Sequence, residues 1–229
     1  MTGFGATISG SIRAADLALR RPRPAPDALP ESIGRLVLAI VILTPVYGAA
    51  MGSYGFADPE RRLITLFAAI KAPMLLLATT GLCMAPFLVL GHIARLQASM
   101  GRALVAILAG QACASGVLAA LAPITIVAYT AIPSHGPAIL YNAGVFGCAA
   151  LLGHRATRQR FQPLIAAEPR YRVLLRLWCA LYCFVGVQMG WTLRPFVGSP
   201  GTAGAFFRED SFTNAYIAVL RIAASALGL

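Results

Sequence analysis

Residues 103–131 read ALVAILAGQACASGVLAALAPITIVAYTA, and these 29 residues contain no charged side chain. A transmembrane helix needs about 20 consecutive apolar residues, so this stretch is long enough to cross a bilayer. Small residues crowd its first half, a composition that favours close contact between helices. Gln111 lies within it, and we expect its amide to hydrogen-bond across to a neighbouring helix. The stretch therefore predicts a central span of a helical membrane protein.

The composition of the whole chain points the same way. Of its 229 residues, 58% are hydrophobic and 12% are charged, and the mean hydropathy is +0.73. Soluble domains carry about 25% charged residues, so this chain belongs to a different class. The length leaves room for about six spans in one all-α transmembrane bundle.

Apolar segments separated by charged or turn-forming residues predict the order of the spans. Residues 1–33 are rich in Arg, Pro and Ala and predict a basic arm, whereas 34–229 predict the transmembrane domain. Residues 63–70 are too short to span, so they predict an interfacial half-helix or the tilted start of the next element. The six predicted spans cover residues 36–57, 71–91, 103–131, 138–153, 177–193 and 213–229.

The positive charges predict the orientation. The net charge is +11, and the arginines lie at the edges of apolar segments rather than in one stripe, which argues against nucleic acid as a partner. With the N-terminus inside, thirteen arginines fall on the cytoplasmic side and five Lys or Arg on the other. Six of the thirteen lie between residues 154 and 176, which we expect to form a cytoplasmic link. By the positive-inside rule both termini are cytoplasmic, and the arginines contact anionic lipid headgroups.

A dense polar motif follows the fifth predicted span, where residues 188–200 read QMGWTLRPFVGSP. The residue before a proline is pushed out of the α region, so Arg194-Pro195 predicts the end of that helix. Arg194 either extends to the interface or pairs with a carboxylate of the outer loops. The carboxylates considered are Asp58, Glu209 and Asp210.

Arg221 is the other unusual cation, because it lies inside the last predicted span. Such a charge faces the bundle or extends to the headgroups. No Asp or Glu lies in a predicted span to form a proton relay with it, which weighs against an ion-coupled pump. The residues selected as a structural or interaction motif are Gln188, Trp191, Arg194, Pro195, Phe196, Arg208 and Arg221.

Catalytic and metal-binding patterns are missing from the sequence. It has no paired-histidine helix, phosphate-binding glycine loop or nucleophile elbow, and its three histidines lie in or beside loops. The five cysteines lie in or at the ends of apolar segments, which indicates packing rather than a disulfide framework. We therefore predict a protein that is not an enzyme, with no catalytic residue, metal site or cofactor.

Several local sequences together resemble an uncharacterised family of bacterial six-span integral membrane proteins, and the layout is similar to that of the Yip family. The resemblance covers about residues 34–220 and implies a multi-pass protein of the bacterial inner membrane. It implies no particular activity. The matching sequences are Met51-Gly52-Ser53, Ile70-Lys71-Ala72-Pro73-Met74-Leu75-Leu76, Tyr141-Asn142, residues 191–200 and Phe206-Phe207-Arg208.

Two functions fit these patterns. Small-residue spans, an ordered outer motif and no catalytic set favour a scaffold or accessory subunit that packs against partner membrane proteins. Prolines and polar groups inside spans favour instead a small transporter or channel. The residues that motivate this alternative are Pro86, Pro123, Gln111 and Arg221.

Overall fold

The structure is a computed structural model that describes residues 29–54, 62–132, 134–194, 196, 197, 206, 207 and 217. Its secondary structure in this part of the chain is entirely helical. Five helices are long and apolar enough to cross a membrane. They are α1 (Leu29–Gly52), α2 (Arg62–Ile93), α3 (Met100–Ala131), α4 (His135–Ala167) and α5 (Arg170–Thr192), with a 3-10 turn (Gln97–Ser99) before α3.

Of the two alternatives for residues 63–70, the interfacial half-helix is wrong and the start of the next element is confirmed. These residues continue without a break into α2, so Lys71 and Pro73 lie inside a helix of 32 residues. Pro73 resembles a helix start in the sequence, but neighbouring helices support the backbone around prolines in membrane spans. Lys71 therefore lies inside a span rather than at its first residue.

The prediction of a link between residues 154 and 176 is also wrong. Helix α4 continues through the arginines to Ala167, and α5 begins at Arg170, so a short turn separates them. Ala156, Phe161 and Leu164 are buried, so one face of α4 packs inward along this whole stretch. The arginines of this stretch do not interrupt the helix, because arginine is a good helix former.

The first span ends at Gly52 rather than residue 57. The predicted third span agrees with α3 to within three residues at its start.

Helix α3 is the centre of the bundle. It packs along α1 on one side and along α4 on the other, while α2 packs against α1 and α5. Its small residues permit these contacts, since Ala109, Gly110, Ala112 and Ala114 are buried. Gln111 is the only residue between 105 and 115 that keeps some exposure.

The bundle has a packed basic end, at which α2 and α4 end and α3 and α5 begin. Its core joins Phe87, Phe161, Tyr171 and Trp178, and the Phe87 and Trp178 ring centroids are 5.3 Å apart. Tyr171 donates a 2.8 Å hydrogen bond to the Leu96 carbonyl and so fixes the turn between α2 and α3. We call the other end, where α1, α3 and α5 end, the distal end.

Candidate functional site

The predicted motif lies at the distal end of the bundle. Helix α5 ends at Thr192, whose hydroxyl donates a 2.9 Å hydrogen bond to the Gln188 carbonyl. The Arg194 guanidinium carbon lies 3.3 Å from the centroid of the Trp191 ring, which is a cation–π contact. Two of the seven selected residues, Trp191 and Arg194, are therefore in direct contact.

The chain after α5 turns inward across the distal end. Val197 is buried in a cluster that includes Tyr47 of α1, Leu118 of α3 and Val145 of α4, and Phe196 packs against the same cluster. The segment after α5 thus packs against residues of α1, α3 and α4. Pro195, Arg208 and Arg221, and the carboxylates Asp58, Glu209 and Asp210, lie outside the described residues.

Lys71 is a buried cation that the sequence analysis placed at the first residue of the second span. Its side chain is 0% exposed, and its Nζ lies 4.7 Å from the Phe206 ring centroid and 5.9 Å from that of Phe207. Phe206 also packs edge-on against Phe67, at 5.2 Å between centroids. Phe206 therefore contacts α2. The signal available in the sequence was the unbroken apolar run on both sides of Lys71.

A buried hydrogen-bond network joins three helices near the distal end. Tyr47 of α1 donates to the Asn142 side-chain oxygen of α4 at 2.8 Å. The Asn142 amide donates to the hydroxyl of Tyr129 on α3 at 2.6 Å, and Tyr129 donates to the Met51 carbonyl of α1 at 3.2 Å. Every bond joins different helices, so the network fixes how α1, α3 and α4 sit together. Tyr47 and Asn142 are 95 residues apart in the chain.

A second polar group lies halfway along the bundle. Tyr182 of α5 donates to the Gln111 side-chain oxygen of α3 at 3.1 Å, and Thr44 of α1 donates to the Ser115 hydroxyl at 2.9 Å. The expected interhelical bond of Gln111 is therefore confirmed. Thr79 of α2 is 1% exposed, and its hydroxyl has no hydrogen-bond partner among the described residues.

Helix α4 has two surfaces of small residues with different environments. On the inner one, Gly110 and Gly153 cross, and a Cβ at Gly110 would lie 2.8 Å from the Gly153 carbonyl oxygen. The outer one consists of Ala143, Gly144, Gly147 and Cys148, all of them exposed. Nothing lies within 4 Å of a Cβ built at Gly144 or Gly147. We call this outer surface the open face of α4.

Side chains that could bind a metal ion do not cluster among the described residues. Within the described ranges there is no group of three or more His, Cys, Asp or Glu that could hold a metal ion. All five cysteines are free, with Cys83 and Cys113 buried and Cys148 and Cys183 exposed. The closest polar neighbour of Cys179 is His154, with 3.3 Å between Sγ and Nδ1.

Comparisons of the chain with family models, with curated proteins and with solved structures found no match.

Proposed function

We propose that the protein is a non-enzymatic scaffold or accessory subunit of a larger membrane complex, and that a partner helix docks on the open face of α4. The observation that supports this proposal is the exposure of Gly144 and Gly147 in mid-helix. A helix-interior glycine costs about 0.5–1 kcal/mol relative to alanine. Neither glycine makes a close contact with another helix among the described residues. A partner backbone that approaches the glycines would account for them.

The topology that accompanies this proposal has six spans with both termini in the cytoplasm of a bacterium. Residues 213–229 are uncharged except for Arg221, and they supply the sixth span. The basic end of the bundle then faces the cytoplasm, as the positive-inside rule requires. A C-terminal fluorescent fusion that matures only in the cytoplasm tests this topology. Fluorescence of the full-length fusion is expected, and a dark but membrane-inserted fusion would contradict six spans.

Gentle extraction of the tagged protein from its own membrane, followed by mass spectrometry, tests the partner. We expect one or more membrane proteins in fixed stoichiometry with the wild-type chain. The double variant Gly144→Leu/Gly147→Leu fills the open face without an internal clash and should lose those partners. Gly81→Leu/Ala85→Leu is the matched control, because both positions are exposed on α2 and Gly81 is equally open. Recovery of a lone monomer or homo-oligomer from wild-type membranes would overturn the proposal.

A small transporter or channel is the second candidate. It is favoured by the buried Thr79 hydroxyl and by the partial exposure of Gln111, since polar groups inside a bundle mark solute paths in transporters. Flux into proteoliposomes that contain only this protein tests it. Flux that Gln111→Leu abolishes would support transport by the isolated chain. Absence of flux for a panel of small ions and neutral solutes would favour the accessory subunit.

A further inference from the structure

Three arginines of the basic end lie along one seam between two helices. His154 of α4 contacts Cys179 of α5, and Phe161 of α4 contacts Tyr171 of α5, with 6.4 Å between their ring centroids. Arg158 is four residues after His154 and three before Phe161. Residues with these spacings share one helix face, so Arg158 lies on the side of α4 that meets α5.

The same reasoning places two arginines of α5 on the other side of this seam. Arg172 and Arg176 are seven and three residues before Cys179, so they share its face. The helices are antiparallel, because His154 contacts Cys179 whereas the later Phe161 contacts the earlier Tyr171. Interpolation between these two contacts puts Arg158 level with residue 175, between Arg172 and Arg176. All three arginines are exposed. Three guanidinium groups therefore border one stretch of the α4–α5 seam, within about two helical turns.

Carboxylates do not neutralise this seam in the part of the chain whose side chains are described. Glu168 is the only Asp or Glu there, and it lies 3.6 Å from the Nε of Arg170. Topology alone requires arginines at this end of the bundle, but it does not require three of them beside one interhelical seam. Guanidinium groups bind phosphate oxygens in a bidentate geometry, so the seam favours a phosphate-bearing ligand.

The depth and the surroundings of the arginines indicate which phosphate compound fits. Helix α3 has 32 residues, hence a length of about 48 Å, which covers the hydrocarbon core and both headgroup layers. Because α4 ends only nine residues beyond Arg158, the seam lies at headgroup depth. Toward the bilayer centre, Leu151 is seven residues before Arg158 on α4 and is 72% exposed. On α5, Val187 is eleven residues after Arg176 and is 51% exposed. These spacings place both side chains on the same helix faces as the arginines. An apolar surface thus continues directly from the arginines.

We propose that this seam, which we call the basic seam, binds an anionic phospholipid of the leaflet at the basic end. Arg158, Arg172 and Arg176 hold the headgroup phosphate, and the acyl chains lie over Leu151 and Val187. The open face of α4 begins at Cys148 and extends toward the distal end, so a partner helix and the lipid occupy different lengths of α4. The proposal goes beyond the accessory-subunit function and does not depend on it.

Native mass spectrometry of the full-length protein, with defined lipids added, tests the proposal. We expect phosphatidylglycerol to bind at least tenfold more tightly than phosphatidylcholine. Arg158→Gln/Arg176→Gln should remove most of that preference. The matched control is Arg95→Asn/Arg102→Gln, which removes the same charge at the turn between α2 and α3. Asparagine is chosen at position 95 because the φ angle of Arg95 is 59°, a backbone conformation that asparagine tolerates.

Three results would overturn the proposal. The first is equal binding of the two lipids to the wild-type protein. The second is an equal loss of preference in both double variants, which would indicate attraction by net charge rather than a site. The third is binding of glycerol phosphate, which has no acyl chains, with the same affinity as phosphatidylglycerol. The wild-type protein should bind glycerol phosphate at least tenfold more weakly, and each variant should keep the wild-type elution volume in detergent.

Discussion

Gly110 of α3 and Gly153 of α4 cross so closely that a Cβ at Gly153 would lie 2.7 Å from the Gly110 carbonyl oxygen. This contact joins the central helix to α4 and leaves no room for a methyl group. The open face of the same helix carries Gly144. No atom of another described helix lies within 4 Å of a Cβ built at this glycine. Substitution by alanine should therefore have opposite effects on stability at Gly153 and at Gly144.

Gly153→Ala should destabilise the isolated protein by about 1–3 kcal/mol, the usual cost of overpacking a tight contact. Gly144→Ala should leave its stability unchanged or raise it by about 0.5–1 kcal/mol, because alanine favours the helix. Unfolding of both variants in mixed micelles by denaturant measures the difference. Equal destabilisation would show that the crossing of α3 and α4 is not as close as described.

The Tyr47–Asn142–Tyr129 network should behave as one unit. Asn142→Leu leaves the buried Tyr47 hydroxyl without its acceptor and removes the amide that donates to the Tyr129 hydroxyl, and we expect a loss of about 1–3 kcal/mol. Tyr47→Phe alone should cost less, because it removes one donor. In the double variant the losses should not add, since the bond between the two side chains is already broken. Additive losses in a double-mutant cycle would refute the network.

The contact between Lys71 and Phe206 predicts a second coupling. Phe206→Leu keeps an apolar side chain but removes the aromatic ring, and it should cost about 0.5–2 kcal/mol through the lost cation–π contact. In a Lys71→Met background the same substitution should cost clearly less. Phe207→Leu serves as the control, because its ring is farther from Nζ. Equal costs in the two backgrounds would show that the ring and the cation do not interact.

The stacking of Arg194 on Trp191 can be followed by fluorescence. With Trp178 replaced by phenylalanine, Trp191 is the only tryptophan that emits. Arg194→Gln should then shift its emission spectrum, because the cation above the indole is lost. Arg194→Lys should give an intermediate spectrum, since an ammonium group cannot stack as a plane. An unchanged spectrum in both variants would contradict the contact.

The sequence predicted the helical membrane fold because long uncharged runs such as 103–131 have few other stable structures in a bilayer. It misplaced helix ends where charged residues lie inside a helix rather than beyond its end. Arg155 and Arg158 suggested a loop, although arginine is a good helix former and the buried face continues to Ile165. Lys71 was misplaced for the related reason that Pro73 resembles a helix start.

The candidate site was predictable only where its parts are near in sequence. Trp191 and Arg194 are three residues apart, and the prediction selected both. Asn142 is 95 residues from Tyr47, and Lys71 is far in sequence from Phe206, so no local pattern could pair them. The open face of α4 could not be separated from its inner surface in the sequence, because both are made of the same small residues.

Cross-linking in native membranes tests the docking of a partner most directly. A diazirine analogue of leucine replaces Leu140, which borders the open face on α4 and is 74% exposed. The control position is Ile124, which is 57% exposed on α3 near the same end of the bundle. Light should give one discrete protein adduct from position 140 and only lipid adducts from position 124. Absence of a protein adduct at 140, or the same adduct from both positions, would contradict the account.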